Sequence, residues 1–187
     1  KIRFEYNLSD SNIVCLTLSG SRKIKGHKNM LLGFQKAYKK NGDLRLFIAA
    51  HGKETNSLIQ LTGDLDLKKV VHFIGFIKSE IKEAFFRVSH VYVNTAYFEP
   101  FGLVYLEAIQ SQLANLATAS GGAKDIFEHE KSAYLIDPNS INEIYQGFLY
   151  LSKEENRESV TNNANKILPN YTTYKVVPEY FKVYQKI

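Results

Sequence analysis

The sequence predicts an α/β fold: an open parallel sheet with helices on both faces. Three observations carry that expectation. Short apolar runs recur along almost the whole chain, at 13–18, 44–50, 70–74, 91–94, 116–119 and 134–136. Most are continuous rather than alternating, as strands buried on both faces are. The intervals between them shift to helical periodicity.

The first strand, 13–18, carries the single cysteine, Cys15, inside an apolar run where a buried, inert thiol is expected. Met30, Phe34, Ala37 and Tyr38 then form one helical stripe ahead of the strand at 44–50. After the strand at 70–74 comes a second stripe of Ile81, Ala84, Phe85 and Val88. Lys82, Glu83 and Arg87 face away from it, and Ser79 is placed to cap it. Beyond 91–94, Gly102 opens a strongly apolar helix, and Gly121-Gly122 precedes a short helix over 123–128. After 134–136, Ser140 and Glu143 make a capping box ahead of Ile141, Ile144, Tyr145 and Phe148. A helical stretch follows at 155–168, and a C-terminal helix lies within 169–187. Its start is set near Pro178, because a proline breaks a helix begun at Thr173.

Length and composition bound the function. With 187 residues, 44% hydrophobic and 23% charged, the chain reads as one soluble globular domain over 1–187. No apolar run is long enough to span a bilayer, and no signal peptide is visible. One cysteine excludes a disulfide framework and favours a reducing, cytoplasmic compartment. The net charge of +5 suits an anionic ligand, an acidic membrane surface or nucleic acid, and equally a solvated lysine-rich surface. The chain opens with Lys1 rather than Met, so it reads as a piece of a longer protein, with 1–12 as an interdomain approach segment.

In an open parallel sheet, ligands sit beyond the carboxyl ends of the strands, at a topological switch point. The loops at 19–27, 51–53, 75–78, 95–102 and 120–123 all follow strands, so they share that edge. One of them runs into Glu99-Pro-Phe-Gly-Leu-Val-Tyr-Leu-Glu107. A glycine at a helix start exposes backbone N–H groups that suit a phosphate. Glu107, between Leu106 and Ala108, needs a polar partner if its helix is buried. The loop after the first strand holds Gly20, Ser21, Arg22 and Lys25, a flexible backbone carrying cations for phosphate oxygens. It is neither a Walker A loop nor a GxGxxG fingerprint.

Competing readings fit less well. A glycosidase pair needs carboxylates about 5–9.5 Å apart. A helical interval puts Glu99 and Glu107 roughly 10–12 Å apart instead, one near a reacting sugar and one near the remote end of the ligand. Gly121 and Gly122 could donate N–H groups to a ligand or simply make a tight turn. The five histidines show no metal-ligand spacing, and no nucleophile elbow is present. Tyrosines among lysines near the C-terminus fit helix packing better than a nucleic-acid surface.

At these motifs the chain resembles the retaining nucleotide-sugar glycosyltransferases of GT-B architecture, family 4, whose hallmark is E-x-FG-x-x-x-x-E-A. Here it reads Glu99-Pro-Phe101-Gly102-Leu103-Val-Tyr-Leu-Glu107-Ala108. The Glu-Pro-Phe-Gly-Leu form is also similar to that of sucrose and sucrose-phosphate synthases. Val71-His-Phe-Ile-Gly75-Phe-Ile77, Ser120-Gly121-Gly122-Ala-Lys-Asp125-Ile126 and Tyr134-Leu-Ile-Asp137-Pro138 match further segments of that family. The family's Arg and Lys usually stand about five residues apart, whereas Arg22 and Lys25 stand three apart. Lys25 is therefore the safer counterpart.

The resemblance implies a Rossmann-like, donor-binding C-terminal half of a GT-B enzyme. Glu99 would contact the donor sugar, and Phe101, Gly102 and Leu103 would offer N–H groups to sugar and diphosphate. Glu107 would accept from the ribose hydroxyls, Arg22 and Lys25 would neutralise the diphosphate, and Ile77 would lie against the base. Gly20, Ser21, Gly121 and Gly122 complete the expected donor contacts. The donor would be a nucleoside-diphosphate sugar such as a UDP- or GDP-sugar, with no cofactor and no metal required. A glycan, lipid or small-molecule acceptor would be held by a preceding domain, with peripheral contact at the inner membrane face open for the full-length protein and no nucleic acid. The alternatives are a nucleotide-sugar epimerase of the same architecture and a non-catalytic nucleotide-binding module.

Overall fold

The structure is a computed structural model and describes residues 1–185. Among them, six parallel strands form one sheet. These are β1 (Ile13–Leu18), β2 (Leu44–Ala49), β3 (Val71–Phe73), β4 (Val91–Asn94), β5 (Ala114–Thr118) and β6 (Tyr134–Ile136). The spatial order is β3-β2-β1-β4-β5-β6. β1 pairs with β2 from Ile13↔Leu44 to Leu18↔Ala49, and on its other side with β4 through Cys15↔Val91 and Leu16↔Tyr92. The helices are α1 (Ile2–Glu5), α2 (His27–Tyr38), α3 (Thr55–Asp64), α4 (Ser79–Val88), α5 (Leu103–Gln110), α6 (Ala123–Ile126), α7 (Ile141–Ser152), α8 (Glu154–Asn165) and α9 (Thr173–Tyr184).

Burial on both faces explains the continuous apolar strands. Cys15, Leu46 and Leu116 point into one core layer, with Leu31 and Phe34 of α2 and Ile144 and Phe148 of α7. Leu16, Phe47 and Ala117 point into the other, with Phe85 of α4 and Tyr105 and Ile109 of α5. The Phe34 and Phe148 rings meet edge-to-face at 5.3 Å where α2 crosses α7. Truncating such a ring to Ala costs about 3–5 kcal/mol. Cys15 is fully buried, which pushes its thiol up to about 12.

Several elements depart from the expected ones. α3 lacks a legible stripe, because only Leu58 and Thr62 of it are buried. Ser79 does not cap α4: Lys78 is the N-cap residue, no side chain caps that end, and Ser79 is already helical. Ser140 does cap α7, accepting from the Glu143 N–H, but the Glu143 carboxylate reaches back to the Asp137 N–H instead of closing the box. α9 begins at Thr173 and holds Pro178 in its interior. No residue of α9 is buried, so water can serve the carbonyl that the proline leaves without a donor. The last two residues of the expected 169–187 helix lie outside the described residues. Within 1–12, α1 forms a helical turn, and Ile2, Tyr6 and Leu8 pack on the second core layer.

α2 starts at a buried histidine. The His27 ring is 3% exposed and its Nε2 stands 2.8 Å from Ser19 Oγ, tying the helix start to the end of β1. Burial, reinforced by the Lys25 charge, pushes the His27 pKa down to about 4. The unfolded chain titrates near 6.5, so it binds the proton first as the pH falls. This contribution is complete above pH 6.5 and is lost as pH falls toward 4, about 3 kcal/mol in all. Urea unfolding should therefore show a smaller loss of stability from pH 7 to 4.5 in His27→Gln than in the wild type. Equal pH slopes would refute the assignment.

Candidate functional site

The strand order reverses between β1 and β4, which opens a crevice at their carboxyl ends. Three loops close around it. Gly26, in the left-handed region at φ 68°, presses on the loop after β4: a Cβ there would stand 2.0 Å from the Thr95 carbonyl oxygen. The Tyr97 N–H donates to the Ile24 carbonyl at 2.9 Å, and the Thr95 hydroxyl donates to the Lys25 carbonyl at 3.3 Å. The loop after β5 packs as tightly from the far side. Gly121, at φ 56°, would put a Cβ 2.0 Å from the Glu99 carbonyl oxygen. The Gly122 N–H donates to the Glu99 and Pro100 carbonyls, each at 3.1 Å.

This packing brings Lys25 Nζ to 2.9 Å from Glu99 Oε2, both side chains 17% exposed. Asn94, the last residue of β4, donates its Nδ2 to the same oxygen at 3.2 Å. Its Oδ1 is fixed by the Ala96 N–H at 3.0 Å. Both donors sit on Oε2, and Glu99 lines a hollow of about 510 Å³ together with Gly20, Arg22, Phe101, Gly102 and Leu103. Gly102 is the N-cap residue of α5 and no side chain caps that end, so first-turn N–H groups are open to an acceptor. Tyr92 and Tyr105 line the same hollow and are buried. Burial raises both hydroxyls, with the charge of Glu99 adding to it, so they stay protonated.

Other expected site residues lie elsewhere. Glu107 projects from α5 toward α4, where Lys82 Nζ meets its Oε1 at 2.9 Å. That pair lines a second hollow of about 440 Å³ with Phe86, Arg87 and Gln110. Glu107 Oε2 is buried without a hydrogen-bond partner. Lys82 therefore does not simply face solvent but reaches the second glutamate. Ser21 is wholly buried beneath its loop, with its N–H donating to the His51 carbonyl at 3.0 Å, and it does not line the hollow. Ile77 is partly buried against the second core layer. The Gly122 N–H, engaged by the Glu99 loop, serves loop packing, and Gly121 does the same by its lack of a side chain.

Sequence reasoning missed Asn94, Tyr92, Tyr105 and Lys82. A readable signal existed for Asn94 alone: a polar residue ends an otherwise apolar strand at the edge where ligands bind. Among the described residues, no group of three or more His, Cys, Asp or Glu side chains is placed to hold a metal ion. Among them, too, no helix is long and apolar enough to cross a membrane.

Solved structures share this architecture. The C-terminal domain of the glycosyl transferase group 1 family protein LpcC from Francisella tularensis superposes with a TM-score of 0.78 at 24% identity, covering 88% of this chain and 87% of that one. HepE from Anabaena, in complex with UDP-glucose, superposes with a TM-score of 0.87 at 18% identity, covering 100% of this chain and 52% of that one. At such identities the likeness concerns the fold. Among curated proteins, N-acetyl-alpha-D-glucosaminyl L-malate synthase of Bacillus anthracis is 23% identical over 189 residues, spanning 100% of this chain and 49% of that protein. A probable sucrose-phosphate synthase of Oryza sativa is 36% identical over 69 residues, covering 37% of this chain and 6% of that protein. The chain thus spans about half the length of the first of these relatives. The family model described as glycosyl transferases group 1 matches residues 1–167, and the chain belongs to that family.

Proposed function

We propose that this chain is the donor-binding half of a retaining glycosyltransferase, which moves a hexosyl group from a nucleoside-diphosphate sugar to an acceptor hydroxyl. The observation that carries the reading is the Lys25–Glu99 pair at 2.9 Å, set at the switch point beside the open N-terminus of α5. Structural neighbours with UDP, or with UDP-glucose, support the choice of donor class. The chain spans about half of that protein, and we assign the acceptor to a part outside this chain.

Each group has a task in that reaction. Cleavage of the sugar–phosphate bond places negative charge on the leaving diphosphate and oxocarbenium character on the ring. Lys25, Arg22 and the α5 N–H groups oppose the first, and fixed dipoles of this kind favour the transition state over the ground state. Glu99 Oε1 accepts from the sugar hydroxyls and steadies the ring charge. Glu107, which lines the second hollow beside Lys82, is assigned to accept from the ribose hydroxyls. These cations perform the charge neutralisation that a metal would otherwise supply. Glu99 is assigned to the sugar hydroxyls and not to attack on the ring carbon, so the proposed transfer is substitution on one face of the ring with retention.

UDP at about 100 times its dissociation constant should stabilise the chain by roughly 2.7 kcal/mol, a rise in Tm of about 5–10 °C. A thermal scan that stays flat for every nucleoside diphosphate and sugar conjugate would replace this reading with a scaffold module. Glu107→Ala should weaken UDP binding about tenfold in calorimetry. Glu99→Gln should leave UDP affinity within about twofold while lowering transfer by the full-length protein at least about 100-fold. Equal loss of nucleotide affinity in both variants would contradict the division of labour.

A further inference from the structure

A hollow of about 530 Å³, distinct from the donor cavity, is lined by the β1–α2 loop, the start of α2, and α3. Arg22 lines both, so the loop is a partition with a cation in it. Lys23 and Lys28 join Arg22 around this second space, against one carboxylate, Glu54. Among the described residues, none of these three cations makes an ion pair, unlike Lys25 and Lys82. α2 is twelve residues long, and its N-cap residue, Gly26, provides no side-chain cap. Its first N–H groups add a positive end to the same space. His27, 3% exposed, also lines the hollow, and its Nδ1 is buried with no partner. The Ser19–Nε2 contact at 2.8 Å occupies the other ring nitrogen and leaves Nδ1 without a hydrogen-bond partner.

The remaining walls are not charged. Leu58 and Leu61 of α3 give an apolar floor, and Tyr97 closes one side. An inorganic ion would leave that floor bare. We propose that this hollow is a second anion subsite, for a phosphomonoester of sugar size, separate from the donor cavity and joined to it through Arg22. The phosphate sits among Lys23, Lys28 and the α2 N-terminus, and the carbon body lies on the leucines beside Tyr97. Ser57, on α3, is placed to meet a hydroxyl of that body. The site goes beyond the donor reading, because none of its residues except Arg22 belongs to that cavity.

Calorimetry on the chain tests it, with glucose 6-phosphate, inorganic phosphate and glucose as probes, each alone and with saturating UDP. Glucose 6-phosphate should bind, inorganic phosphate should bind more weakly, and glucose should give no heat. Binding of glucose 6-phosphate should persist with UDP present. The double variant Lys23→Met/Lys28→Met, at exposed positions, should weaken glucose 6-phosphate at least about tenfold and leave UDP affinity unchanged. Absence of glucose 6-phosphate binding overturns the proposal, as does its displacement by UDP or an unchanged affinity in the double variant. Inorganic phosphate binding as tightly as the sugar phosphate overturns the assignment of the apolar floor. Failure of UDP itself to bind would count against the donor reading alone, since the sugar-phosphate arms do not depend on it.

Discussion

The site depends on backbone crowding. Gly26 lies against Thr95, and Gly121 lies against Glu99, each so close that a Cβ would stand 2.0 Å from a carbonyl oxygen. Both residues also sit in the left-handed region, so a side chain there meets a steric and a conformational obstacle together. Three loops from three different strands are thereby clamped into one surface. The ion pair, the α5 N-terminus and the free edge of Glu99 all inherit their positions from that clamp. Because backbone holds backbone, the geometry does not wait for a ligand to organise it.

The sheet supplies the other half of this arrangement. β1 and β4 are neighbours in space but far apart in sequence, and their helices leave toward opposite faces. Loops from both strands therefore splay apart at the carboxyl edge, and the space between them is the only geometry that topology permits there. Glu99 ends up at the crevice, whereas α5 carries Glu107 away toward α4 and Lys82. Under the proposed function, an elongated ligand with a reacting end and a remote end suits two separate hollows served by one helix, α5. A compact substrate needing both carboxylates on one atom does not.

Much of this was legible in the sequence for a physical reason. Strands buried on both faces must be apolar throughout, so β1, β2 and β4 announce themselves, and so do the loops that follow them. Helices that bury a full stripe, such as α2 and α7, are equally plain. α3 is not, because two buried residues in ten leave little periodic signal. α9 misled the proline rule, because an exposed helix can hand its orphan carbonyl to water. The tasks of Ser21 and Gly122 were hidden for another reason. Whether a loop residue faces a ligand or braces a neighbouring loop depends on contacts between β1, β2, β4 and β5 loops, which no local pattern encodes. Lys82 escaped notice similarly, since its partner lies 25 residues away on a different helix.

For the proposed function, the pairing of Lys25 with Glu99 poses an apparent contradiction, since the cation assigned there to a diphosphate is already neutralised. Burial resolves it. Each side chain is 17% exposed, and a lone charge at that depth would be costly and poorly fixed. Paired, both are held in a fixed orientation, with Asn94 adding a second donor to the carboxylate. A ligand that brings phosphate oxygens to Lys25 and hydroxyls to Glu99 then exchanges partners instead of stripping water from two free ions. Under the proposed reaction, affinity gained at Lys25 would be modest and positional accuracy high, and accuracy is what a developing transition-state charge rewards. Arg22, by contrast, is exposed and carries no counter-ion among the described residues, which suits it to long-range attraction in the proposed reaction. In the proposed reaction one loop thus separates two jobs that a single lysine could not combine: drawing an anion in, and holding it in place.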